Sequence, residues 1–302
     1  MTWVAGSVRA RLLVAERRLG ADGAADVAAA GSLQEALVRL GRSPYRRQVA
    51  LEQDLEEAQR AVSETTLVNL RVLAGWLPAD ALGLLRALAA WYELANLEDR
   101  LAYLAGGELR HPFELGALAT AWPRAAEAQG IQELRRVLEA SPWGDPGGST
   151  PAEIGLGLRL AWARRVDAEA PEAAHWAAGA AALLVARELY VAGRPVEART
   201  LLGDGWQNAG TFERFAAALP PHAAWAVEGL ESSEELWQAE ARWWGAVEAE
   251  AEALLRGSAP GRRVVVAAAT LLGADAHRAC TALAAAGRRG LAGVEEAFRA
   301  AA

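Results

Sequence analysis

One segment of this chain occurs twice, which limits the fold more than any other feature. Leu33–Tyr45 reads LQEALVRLGRSPY, and ninety-eight residues later Ile131–Trp143 reads IQELRRVLEASPW. Gln34-Glu35 matches Gln132-Glu133, Leu40 matches Leu138, and Ser43-Pro44-Tyr45 matches Ser141-Pro142-Trp143, all without a gap. A second echo runs from Arg100-Leu-Ala-Tyr-Leu-Ala-Gly106 to Arg187-Glu-Leu-Tyr-Val-Ala-Gly193 and, more faintly, to Thr281-Ala-Leu-Ala-Ala-Ala-Gly287. Self-similarity at a period of about 90 residues is the signature of a copied unit. It predicts three related units, 1–107, 108–194 and 195–302. Repeated units build surfaces more often than single catalytic pockets.

Composition sets the class of those units. Apolar residues make up 53% of the chain and Ala dominates them. Ala, Leu, Arg and Glu are strong helix formers, so the expected fold is all-α. A net charge of −7 argues against a nucleic-acid partner, because neutralising phosphates takes a basic face. All 31 basic residues are Arg. Without Lys the chain has neither a Walker phosphate loop nor a Schiff-base amine. Cys280 is the single cysteine, which rules out an internal disulfide or a Cys-rich zinc site and reads as a small buried apolar residue. The opening residues lack the charged and apolar regions of a signal peptide. The apolar runs 177–186 and 264–274 are too short to span a bilayer, so the expected location is cytoplasmic.

The pattern along the chain predicts a helix over Thr2–Leu19, capped by Thr2 and ended at Gly20, then two short helices over 21–41, the second capped by Ser32. A long amphipathic helix is expected over Arg46–Gly75, and another from Pro78 to a stop at Gly106-Gly107. In unit two the expected elements are a short helix at Ile131–Ala140, a helix opening at Pro151 behind Ser149 or Thr150, and a long helix over Glu172–Ala192. Unit three reads as a short helix at Thr211–Leu219, a Pro220-Pro221 break, long helices over 232–254 and 260–286, and a closing helix over Gly290–Ala301. The twelve Trp residues read as anchors between helices. Trp243 and Trp244 point about 100° apart on a helix, which leaves one of them less buried and open to an interface.

The sequence offers no pattern that assigns a catalytic, cofactor-binding or metal-ligating residue. His111, His175, His222 and His277 have no partner at metal-ligand spacing. Gly155-Leu156-Gly157 and Gly203-Asp204-Gly205 follow no strand, so they read as close-packing points or helix stops rather than nucleotide loops. The acidic runs Asp54–Glu57 and Glu248, Glu250, Glu252 read as solvated helix faces.

Several stretches together resemble the C subunit family of V/A-type rotary ATPases, the counterpart of subunit d in eukaryotic V-ATPases. They are Val8-Arg9-Ala10-Arg11 in the opening helix, Ser32-Leu33-Gln34-Glu35 leading to Ser43-Pro44-Tyr45, Glu93-Leu94-Ala95-Asn96-Leu97 with Glu for the family's usual Asp, and Leu271-Leu-Gly-Ala-Asp275-Ala-His277-Arg278. The resemblance implies three helical units in approximate threefold pseudosymmetry, forming a funnel. It implies a non-catalytic rotor part without cofactor, metal or small-molecule substrate. Such a part joins the D- and F-type central-shaft subunits to the membrane proteolipid ring and passes torque for ATP-coupled ion transport, peripheral to the inner face of the membrane. On this basis Arg9, Tyr45, Asn96, Arg100, Arg187 and Arg278 are assigned structural roles, with Tyr45, Asn96 and Arg100 expected to hold unit one together through neighbouring backbone. The position of Asn96 falls at Leu183 in unit two and at His277 in unit three. Two rival readings remain: a free-standing helical scaffold for protein–protein interaction, and an all-α prenyl-diphosphate enzyme, for which the clustered Asp residues are missing.

Overall fold

The structure, a computed structural model, describes residues 2–196 and 201–301. It is all-α, with no strand among the described residues. In chain order the helices are α1 (Trp3–Arg17), α2 (Gly20–Ala28), α3 (Leu33–Leu40), α4 (Leu55–Gly75), α5 (Leu82–Leu104), α6 (Trp122–Ala125), α7 (Ile131–Glu139), α8 (Pro151–Glu169), α9 (Ala174–Ala186), α10 (Phe212–Ala218), α11 (Pro221–Ala224), α12 (Leu236–Arg256) and α13 (Arg262–Ala301). Packing divides the chain into two compact units, Met1–Pro78 with Ala251–Ala302, and Ala79–Glu250. That division follows which helices bury one another. Its boundaries differ from 1–107, 108–194 and 195–302, the units expected from the sequence echoes.

In the first compact unit, α13 packs against α1, α2, α3 and α4. Thr2 and Ser32 cap α1 and α3 as their types predict, accepting from Ala5 N at 3.3 Å and Glu35 N at 3.2 Å. The long helix expected from Arg46 starts only at Leu55. The reason is a capping box. Asp54 accepts from Glu57 N at 2.8 Å while Glu57 accepts from Asp54 N at 2.9 Å, so these acids begin the helix rather than lying on a solvated face. At the other end of the chain, α13 is one continuous helix. The two helices expected there are joined, because Gly287 lies in mid-helix between Ala and Arg, both strong helix formers, and gives no stop.

The second unit repeats the start signal. Thr150 and Glu153 form a capping box on α8, with Pro151 at its first position. Gly106 and Gly193 both take left-handed φ, +96° and +64°, and end their helical runs as the Arg…Gly echo predicts. The helix expected over Glu172–Ala192 is composite: a 3₁₀ turn at Pro171–Ala173, α9, and a π-helical turn at Arg187–Val191. Gly157 does act as a close-packing point, since a Cβ there would lie 1.8 Å from the Pro146 carbonyl oxygen. Gly157→Ala is therefore expected to cost about 2–3 kcal/mol through displaced backbone, read as a lowered urea midpoint.

Equivalent positions build two hydrophobic cores. One joins Val27, Ala30, Leu40, Tyr45, Ala58 and Val62 to Ala276, Ala279 and Leu283 of α13. The other joins Ala125, Ala128, Leu138, Trp143, Ile154 and Leu158 to Leu94, Leu97 and Leu101 of α5. Position by position, α2, α3, α4 and α13 in one core stand where α6, α7, α8 and α5 stand in the other. A core's long central helix thus comes from the copy before its short helices, and for the first core it comes from the end of the chain.

Candidate functional site

Each of these cores holds one buried carboxylate. Glu93 and Asp275 are each only 1% exposed, although a charge at such a position needs full compensation. Glu93, on α5, receives the backbone N–H groups of Thr120, Ala121 and Trp122 at 2.7, 2.8 and 2.8 Å. It also accepts from the Thr120 hydroxyl and from Trp143 Nε1, the latter at 2.9 Å. Asp275, on α13, receives Leu19 N and Gly20 N at 2.8 Å each and Tyr45 Oη at 2.8 Å. Arg18 Nε and Arg278 Nη1 lie 4.0 and 3.7 Å from its Oδ1. Both carboxylates do the same job. The first N–H groups of a helix have no partner within it, and here a carboxylate from a distant helix supplies one, with favourable charge at a helix start.

The repeated segment shows why the aromatic residue arrives at the acid. Ser43 Oγ donates to Leu40 O at 2.6 Å and accepts from Tyr45 N at 3.2 Å. Ser141 makes the same bonds to Leu138 O and from Trp143 N, at 2.6 and 3.2 Å. Glu35 and Glu133 likewise each accept from the backbone N–H four residues earlier, at 2.8 Å. The Ser-Pro turn fixes the chain so that a ring with a polar hydrogen enters the core and finds the carboxylate. Tyr and Trp are interchangeable there because each presents one donor at the end of an apolar body.

The residues singled out in the sequence distribute as follows. Asn96 is fully buried and brackets Phe113, donating to its carbonyl at 3.0 Å and accepting from its N–H at 2.7 Å. Arg100 donates to Ala128 O. These are the expected backbone contacts, but they reach residues 113 and 128 in sequence unit two rather than holding unit one together. Tyr45 Oη donates to Asp275, a carboxylate from sequence unit three. Arg278 flanks Asp275, Arg187 lies 3.8 Å from Glu240, and Arg9 sits exposed over the Trp76 ring at 5.6 Å. Matching Asp275 to Glu93 moves the faint third echo by one residue, so the position of Asn96 is Arg278 rather than His277.

Glu93 and Asp275 were not among the residues assigned a role, nor were Thr120 and Trp143. The available signal was a lone acid on an otherwise apolar helix face, paired with a duplicated turn whose aromatic residue always carries a donor. In the register of the Arg…Gly echo the third counterpart of Glu93 is Ala180. There Trp225 packs against neighbouring Gly179, where a Cβ would lie 2.9 Å from the ring, and its Nε1 donates to the backbone carbonyls of His175 and His222. Small residues and an indole occupy the region where the other copies place an acid.

A second set of polar side chains pairs around Glu250. His175 Nε2 lies 2.7 Å from Glu250 Oε2, which accepts from Trp176 Nε1 at 2.9 Å, so Glu250 is more than a solvated residue. Trp243 and Trp244 are both half-buried, with Trp243 Nε1 donating to Trp176 O at 3.1 Å; the most exposed indoles are instead those of Trp237 and Trp91. Burial pushes the half-buried Cys280 thiol up to about 12, which keeps it protonated at neutral pH. Among the described residues no three or more His, Cys, Asp or Glu side chains are grouped to hold a metal ion, and no helix is long and apolar enough to cross a membrane. A cleft of about 370 Å³ is lined by Trp225, Glu228, Arg242 and Trp243, and no residue of either carboxylate cluster lines it.

Glu98 contributes to the pH dependence of stability. Burial raises Glu98 above its ordinary 4.5, and its ion pair with Arg159 at 2.8 Å offsets this only in part. The folded chain then holds this proton more tightly than the unfolded chain. The resulting stability is full below the unfolded value and is lost as pH rises through the folded one. Glu98→Gln should flatten that part of the profile, seen as a smaller change in urea midpoint between about pH 4 and pH 7.

The sequence matches no protein-family model and no curated protein.

Proposed function

We propose that this chain is the non-catalytic C-type rotor subunit of a V/A-type rotary ATPase, an adaptor between central shaft and membrane proteolipid ring. The observation that carries the reading is the common role of Glu93 and Asp275. These are the acids of the two stretches that resemble the family's motif helices, and both bind the start of a helix and the aromatic residue of a Ser-Pro turn. A torque-bearing adaptor needs helices that do not slide under load. Close packing resists compression, and buried charge-assisted bonds add directional resistance to rotation of one helix on the next. In this reading three copied units close into a funnel with approximate threefold pseudosymmetry, the third having exchanged its acid for packing by Trp225.

The test is affinity capture of the tagged chain from native membranes. The expected result is recovery of the ATPase catalytic subunits, the shaft subunits and the proteolipid together. A preparation that captures the chain intact with none of them overturns the assignment.

A further inference from the structure

The helix α1 is apolar on two sides. Gly6, Ser7, Ala10, Leu13 and Val14 are buried against the first unit's core. On the opposite side Val4, Val8 and Leu12 are 58%, 52% and 54% exposed. At about 100° per residue, spacings of four place these three in one row spanning about 12 Å. Single exposed aliphatic residues are ordinary, whereas three in line on one helix form a continuous apolar ridge. A four-spaced ridge is also the form that enters the groove of a second helix, and exposed Ala5 and Ala15 beside it allow close approach.

Charge selects the occupant. Exposed Arg9 borders the row on one side. Arg11 borders it on the other, donating to the carbonyls of Leu255 at 3.0 Å and Gly257 at 2.5 Å. Glu16 falls beyond the end of the row. The two charged residues that flank the row, Arg9 and Arg11, are thus both cationic, in a chain whose net charge is −7. We propose that the Val4–Val8–Leu12 row is the seat of a helix from a partner chain, with an apolar seam flanked by Asp or Glu. Three aliphatic side chains make a thin anchor in lipid, but they fill a two-turn seam between helices. This inference does not depend on the rotary-motor reading.

The test uses the full-length chain and two labelled synthetic helical peptides of about 20 residues. They share a leucine seam, flanked by Glu in one and Lys in the other, and binding is read by fluorescence anisotropy. The Glu peptide should bind saturably and more weakly as salt rises. The triple variant Val4→Ser, Val8→Ser, Leu12→Ser should weaken it by about tenfold or more, with its fold checked by circular dichroism. Arg9→Glu, which leaves the row intact, should shift preference toward the Lys peptide. Absence of binding, equal binding of the two peptides by the unaltered chain, or equal binding by the triple variant overturns the proposal. So does a dimer in sedimentation that the triple variant abolishes, since the occupant is then a second copy. Flotation on phosphatidylglycerol vesicles that the triple variant abolishes also overturns it, in favour of a lipid surface.

Discussion

Glu93→Ala should lower the unfolding free energy of the unit containing it by about 4 kcal/mol, measured by urea denaturation. The substitution removes the acceptor for the Thr120, Ala121 and Trp122 amides, the Thr120 hydroxyl and the Trp143 indole at once. Each buried donor left without a partner costs about 1–3 kcal/mol, and water entering the vacated space recovers part of that. A second loss is electrostatic. Burial pulls the Arg165 guanidinium below its ordinary value, the Glu93 charge opposes this, and Arg165 stacks 4.6 Å over the Trp143 ring. Glu93→Gln keeps an acceptor oxygen but turns an amide toward donors, so about half the loss is expected. Hydrogen exchange supplies a local check: the amides of Ala121 and Trp122 should lose protection well before those in the middle of α8. If Glu93→Ala leaves stability and these amides unchanged, the carboxylate is not what holds α6.

Asp275→Ala should destabilise the other unit by about 3–4 kcal/mol. It strands the N–H groups of Leu19 and Gly20 and the Tyr45 hydroxyl, and it leaves Arg18 and Arg278 facing a neutral core. Tyr45→Phe removes one of these bonds and should cost about 1–2 kcal/mol. Combined with Asp275→Ala it should add almost nothing, because the acceptor is already gone. Full additivity of the two losses in urea denaturation would show that Tyr45 contributes through packing alone. Asp275 joins the last helix to residues near the start of the chain, so its loss should also raise the exchange of the Leu19 and Gly20 amides, far away in sequence.

The helix inventory was legible because its causes are local. Caps at Thr2, Ser32 and Thr150 and glycine stops at Gly106 and Gly193 act over one helical turn, and sequence reports such short-range bonds directly. The late start of α4 was legible too, in Asp54 and Glu57 three residues apart, but the apolar spacing of Val49 and Leu51 argued for an earlier start. Asn96 and Arg100 both bind backbone. Their partners lie 17 and 28 residues away, which no periodicity encodes. The acids were harder. An isolated Glu or Asp on a helix is usually solvated, and only the packed core shows that Glu93 and Asp275 are sealed from water.

By itself the sequence determined that the chain is helical, where most helices begin and end, and that one Ser-Pro-aromatic segment occurs twice. Helix propensity, capping and turn chemistry all act between near neighbours, so composition and spacing suffice for them. The tertiary structure alone decided which long helix completes which core, and hence that α13 stands to the first short helices as α5 stands to the second set. That pairing depends on buried carboxylates meeting orphan helix donors across the fold, and an interaction between residues 19 and 275 leaves no trace in the order of residues between them.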